Sequence, residues 1–102
     1  MFKITKSVSV PKLKAEEIYN LSKGSVQDLV SRWNLKNWQC KENLVSFKIQ
    51  ISAENFEGKI EAADNGLQVV ANFKGIFKFN KDEAEESLNI WLQELFSTDF
   101  EM

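Results

Sequence analysis

Histidine is absent from this chain, and with it the usual general base of a hydrolytic triad and the commonest zinc ligand. Triad hydrolases and His-ligated metal centres are thereby excluded. The single cysteine, Cys40, has no partner for an internal disulfide and no companions for a Cys-rich metal cluster. The opening run Met1-Phe2-Lys3-Ile4-Thr5-Lys6 lacks the apolar stretch of a signal peptide, so a reducing, cytoplasmic setting is expected. No uninterrupted apolar segment approaches the roughly 18 residues that cross a bilayer, so no transmembrane segment is expected. Charge of one sign is lacking too: 13 basic and 15 acidic side chains leave a net −2, which gives no general field for holding nucleic acid. One proline and four scattered glycines form no linker, and no repeat divides the chain. A single domain over 1–102 is expected, with a folded body 1–96 and a tail 97–102.

What is present is apolar material for a core: 43% of the 102 residues are hydrophobic and 12% aromatic. That is enough to offset the entropy of ordering a domain of this length. Phe2, Ile4, Val8 and Val10 alternate with polar residues, Lys6 alone breaking the apolar side, which is the period of a half-buried strand ended by Pro11. From Leu13 to Trp33 the apolar spacing lengthens to helical steps. One long helix or two short ones fit that spacing, and Gly24-Ser25, with Asp28 three residues on, favours a break.

The middle of the chain reads as three hairpins. Glu42-Asn43 as a two-residue turn sets Cys40 opposite Val45 and Trp38 opposite Phe47. A four-residue connection, 52–55, sets Ile51 opposite Phe56. Asn65-Gly66 as a type I′ turn sets Ala62 opposite Val69 and Ile60 opposite Ala71. All three leave Trp38, Cys40, Val45, Phe47, Ile49, Ile51, Phe56, Ile60, Val69, Ala71 and Phe73 on one face, with Gln, Lys, Glu and Ser on the other. Asn80 and Glu83 then match a capping box, and Ala84, Leu88, Trp91, Leu92 and Leu95 form the apolar stripe of a closing helix. The expected fold is two-layer α+β, a curved antiparallel sheet of about five strands with helices on one face, in the order β-α-(α)-β-β-β-β-α.

Candidate chemistry is sparse. Glu57 and Glu61 flank Lys48 and Lys59 on the polar face, where cross-strand charge pairing accounts for them better than acid–base catalysis does. Cys40 alternates onto the apolar face, so it reads as a small packed hydrophobe rather than a reactive thiol. Residues 1–50 hold 9 basic and 4 acidic side chains against 4 and 11 in 51–102. The lysines around Trp33 and Trp38 nevertheless form no recognised nucleic-acid motif, and nucleic acid is not an expected partner. Gly58 and Gly75 among Phe56, Phe73 and Phe77 suggest a bent sheet whose apolar concavity would take a lipid-like ligand, lined by Trp38, Phe47, Ile60, Phe73, Phe77 and Trp91. No catalytic residue, metal or cofactor is expected.

The strand Ser7-Val8-Ser9-Val10, the Lys- and Glu-rich helix after it, the pair Phe56-Glu57-Gly58-Lys59-Ile60 and Leu67-Gln68-Val69-Val70-Ala71, and the closing helix resemble the small bacterial polyhydroxyalkanoic acid system proteins. The order of elements is also faintly similar to helix-grip, START-like folds. What the resemblance implies is a non-enzymatic, cytoplasmic accessory domain associated with storage-polymer granules or binding a lipid-like hydrophobic ligand. The alternative expectation is a protein–protein interaction module or homodimer acting through a sheet edge or the polar sheet face.

Overall fold

The structure, a computed structural model, describes residues 1–96. The expected tail, 97–102 with Phe100, lies outside the described residues. The elements are β1 (Phe2–Ser9), α1 (Ala15–Gly24), α2 (Val26–Arg32), β2 (Gln39–Asn43), β3 (Lys48–Ala53), β4 (Phe56–Ala63), β5 (Gly66–Phe73) and α3 (Lys81–Phe96). The strands form one antiparallel sheet in the order β1-β5-β4-β3-β2. The expected α+β order is therefore the observed one, and the first strand closes the sheet beside the last.

Strand alternation decides the two faces. Ile4, Ile49, Ile51, Phe56, Ile60, Val69, Ala71 and Phe73 are buried on one side. Against them lie Ile18 and Tyr19 of α1 and Ala84, Leu88, Trp91, Leu92 and Phe96 of α3. Each large apolar side chain so buried contributes about 1.5–3 kcal/mol. The helices are tied down by their tryptophans as well: Trp33 Nε1 donates to the Ala84 carbonyl at 3.2 Å, and Trp91 Nε1 donates to the Ser25 carbonyl at 2.9 Å. The chain does break between α1 and α2, although Ser25 makes no side-chain cap. Asn80 and Glu83 form the expected capping box, the Asn80 N–H donating to the Glu83 carboxylate at 3.0 Å and the Glu83 N–H to Asn80 Oδ1 at 2.9 Å.

All three hairpin registers differ from the expected ones. β2 runs on through Glu42 to Asn43, which pairs with Lys48, so Cys40 faces Ile51 rather than Val45. Asn43 Oδ1 accepts the N–H groups of Val45 and Ser46 at 2.9 and 3.1 Å. This Asx turn carries the reversal to Leu44–Phe47 and leaves Val45 92% exposed in it. The second turn is the two-residue Glu54-Asn55, with Asn55 at φ 59°, and it pairs Ala53 with Phe56 and Ile49 with Ile60. The third is Asp64-Asn65, with Asn65 at φ 65° and Gly66 already inside β5, so Ala62 faces Leu67 and Ile60 faces Val69.

A tertiary contact explains the last shift. Asn65 is held by the connection leaving β1: its carbonyl accepts Val10 N–H at 2.9 Å, its N–H donates to the Leu13 carbonyl at 2.8 Å, and its Oδ1 accepts Lys12 N–H at 3.1 Å. Gly66 serves a different purpose from a turn, since a Cβ there would sit 2.9 Å from the Val8 carbonyl oxygen. The partners moved by six positions in the first hairpin and by two in the others, always an even number. Because side chains alternate with period two, even slips leave the buried set on the same face. Phe47, in the first turn at φ 53°, still packs toward the helices with Ile60.

Candidate functional site

One end of the sheet gathers the phenylalanines. Phe2 of β1 faces Phe73 of β5, which faces Phe56 of β4, so three rings stand in one cross-strand line. Phe73 is the hub: its ring centroid lies 4.6 Å from Phe2, 4.9 Å from Phe56 and 5.0 Å from Trp33. Phe77 and Phe79, from the segment joining β5 to α3, stand edge-on to it at 5.1 and 5.6 Å. Phe2 stacks on Phe73 and the other four rings stand edge-on to it, the two geometries that ring quadrupoles favour.

The cluster grades outward from core to solvent. Phe73 is fully buried, Phe77 and Phe79 are half-buried, and Ile76 between them and Gly75 is 100% exposed. Lys74, Lys78 and Lys81 interleave with this apolar run, Lys74 bonding Glu57 at 3.2 Å. Lys74 N–H also donates to the Asn55 carbonyl at 2.8 Å, which fixes the segment against the β3–β4 turn. At the same end of the sheet, just ahead of β2, Trp38 is 38% exposed. An isoleucine wholly in water, on an aromatic footing and between lysines, is an arrangement suited to contact with an apolar surface.

The six residues expected to line a cavity are divided by the fold. Ile60, Phe73 and Trp91 are buried, Phe47 and Phe77 half-buried, and Trp38 exposed. Phe73 and Phe77 meet. Phe47 belongs to the opposite end of the strands, where its ring stands edge-on to Tyr19 at 5.9 Å and its carbonyl accepts Ala62 N–H at 2.9 Å. Sequence reasoning missed Ile76, Phe79 and Phe2 as parts of one surface. The signal was the run Gly75-Ile76-Phe77-Lys78-Phe79, which is apolar yet fits neither the strand before it nor the helix after it.

Under α1 lies a polar group of different character. The Tyr19 hydroxyl is buried beside the Glu42 carboxylate without a well-formed hydrogen bond, and Ser22 Oγ is likewise buried and unpartnered. Burial, then Glu42, raises the Tyr19 phenol above its ordinary range. Burial also raises Cys40, with Glu42 adding to it, which disfavours the thiolate. Lys23 closes the group, 3.3 Å from Glu42. On the open face Glu61 bonds Lys59 of its own strand at 3.0 Å and Lys48 across the strands at 3.6 Å, which holds its carboxyl below the usual range; the second of these is a cross-strand charge pair of the expected kind. Among the described residues no group of three or more acidic or cysteine side chains is placed to hold a metal ion. Nor is any helix long and apolar enough to cross a membrane.

No family model and no curated protein matches the chain. A solved structure described as a TBP-like protein from Parabacteroides distasonis ATCC 8503 superposes with a TM-score of 0.54 at 12% identity, over 96% of this chain and 89% of that one. The likeness is one of fold. It covers the sheet and the helices together, and it assigns no chemistry to the phenylalanine end or to the group under α1.

Proposed function

We propose that this chain is a non-enzymatic accessory domain that docks on a hydrophobic surface, such as a storage-polyester granule or a lipid phase, through the phenylalanine end of its sheet. The observation that carries this reading is Ile76, 100% exposed at the tip of a segment whose other apolar side chains are seated on Phe73. An exposed apolar side chain on a rigid base gains about 1.5–3 kcal/mol when buried by a partner, without first having to be ordered. Trp38 adds an amphipathic ring at the same end. Phe73, Trp33 and Trp91, each at most 1% exposed, are taken up by internal packing, which favours surface docking over a ligand enclosed in the core. The free Cys40 thiol fits a reducing, cytoplasmic setting.

Strand addition as the mode of action has less support. Each edge strand carries a charge on its helix-facing side, Lys6 on β1 and Glu42 on β2, opposite Val69 and Ile49 of their neighbours. Inward charges on edges discourage pairing with another chain.

The test is co-sedimentation with poly(3-hydroxybutyrate) particles, followed in parallel by tryptophan fluorescence. Trp33 and Trp91 are each 1% exposed, so a blue shift on binding reports Trp38. Wild-type protein should sediment with the particles and Ile76→Asp, whose side chain touches nothing that folding needs, should stay in the supernatant. Equal partitioning of the two proteins would reject this surface.

A further inference from the structure

The open face of the sheet holds a second surface, separate from the phenylalanine end. Two successive cross-strand pairs, Lys41 with Gln50 and Asn43 with Lys48, place four polar side chains in a block on the edge strand and its neighbour. Together with Glu42 they line an open depression of about 350 Å³. Neighbouring side chains on such a block stand roughly 5 Å apart, close enough to converge on one small group.

Each of the four offers a donor, and the acceptors of Asn43, Glu42 and Glu61 are engaged elsewhere. Asn43 Oδ1 already accepts the Val45 and Ser46 N–H groups, which fixes the carboxamide so that its NH2 is what remains to bond outward. Glu42 alternates to the helix side, where Lys23 holds its carboxylate at 3.3 Å, so it lines the depression without turning that charge into it. Glu61, the one acid adjoining on the open face, is shared between Lys59 and Lys48 and neutralises only one of them. Among the described residues Lys41 has no acidic partner within ion-pair distance. Lys41, Lys48 and the adjoining Lys59 thus outnumber Glu61 by two positive charges, and hydrogen-bond donors are in the majority around the depression.

We infer that this depression is a binding site for a small soluble phosphate or phosphomonoester, a group that carries close to two negative charges at neutral pH and presents three acceptor oxygens. Lys41 and Lys48 supply the charge, and the Asn43 and Gln50 carboxamides supply directed donors. The open, shallow shape admits the phosphoryl group and leaves the rest of the molecule in solvent. The site does not depend on the proposed docking of the phenylalanine end, since the two lie on different faces and share no residue.

The test is a titration of ¹⁵N-labelled protein with inorganic phosphate and, separately, with glycerol phosphate, against sodium chloride at matched ionic strength. Saturable amide shifts confined to Lys41, Asn43, Lys48 and Gln50 are expected, and the tighter of the two probes identifies the source of the phosphoryl group. Lys41→Ala should weaken binding about tenfold, the loss expected of one charge-assisted hydrogen bond. Asn43→Asp keeps the acceptor that shapes the turn and replaces the free NH2 by a carboxylate oxygen, so it should abolish the shifts while leaving the rest of the spectrum intact. Shifts that grow linearly without saturation, that chloride reproduces, or that survive Asn43→Asp would overturn the assignment.

Discussion

Phe2 and Phe73 stack with ring centroids 4.6 Å apart and planes 26° from parallel, joining the first strand to the last. The pair lies in the register that places β1 beside β5, and Phe73 passes the contact on to Phe56 and Trp33. Core and candidate surface thus share one aromatic column, buried at Phe73 and open to water at Ile76.

Removing the hub should be costly and removing its outer neighbour less so. Phe73→Ala is expected to destabilise the fold by about 3–5 kcal/mol, in the range for an aromatic cut from a packed core. Phe2→Ala, which empties a half-exposed position, should cost roughly 1–2 kcal/mol, within the usual span for single substitutions. Chemical denaturation of both variants measures the order; equal losses would contradict a column centred on Phe73.

Tyr19→Phe should leave stability unchanged at neutral pH or raise it by about 1 kcal/mol, because it removes a buried hydroxyl without a well-formed partner. The pH dependence has a definite sign. The phenol is raised in the folded chain, so its contribution is whole below the unfolded value near 10.0 and is lost as pH climbs through the folded value. Wild-type protein should lose stability above about pH 10 and Tyr19→Phe should lose less. As the only tyrosine, Tyr19 can also be titrated directly by ultraviolet difference absorbance, which should show ionisation later in the folded than in the unfolded protein.

Glu61 carries the opposite dependence. Lys59 first, and then Lys48, lowers its folded value, so its contribution is present above the unfolded value near 4.5 and fades as pH falls through the folded one. With its side chain 36% exposed the effect should stay below about 1 kcal/mol. Thermal melts of wild type and Glu61→Gln across the acid range should converge at low pH, and added salt should narrow the gap at neutral pH.

Two glycines should respond with opposite signs. Gly24 has nothing within 4 Å of where a Cβ would be, and Gly24→Ala in α1 should add about 0.5–1 kcal/mol from helix propensity. At Gly66 the same atom would lie 2.9 Å from the Val8 backbone oxygen, and Gly66→Ala should cost roughly 1–3 kcal/mol by pushing β1 off β5. A pair of melting curves decides it, and a stable Gly66→Ala would mean that the β1–β5 contact is looser than drawn.

The residue pattern alone was enough for the apolar face of β3, β4 and β5 and for the order in which helices and strands follow one another, but not for Trp38 and Val45, which it placed on that face and which are exposed. Period-two alternation within β3, β4 and β5 specifies a face that survives any even slip of register, and Asn80 with Glu83 specifies where α3 starts. The pairing partner across the last hairpin was set by long-range contacts, because Asn65 satisfies backbone groups of Val10, Lys12 and Leu13 that local turn preference does not see, whereas the Asx turn at Asn43 is local and was missed in favour of a tighter turn. The tertiary structure alone placed β1 beside β5, which turns Phe2 and Phe79 into neighbours 6.4 Å apart. It also left Ile76 in solvent, where no periodicity marks an exposed position: exposure follows from what packs nearby, and that depends on contacts between residues far apart in the chain.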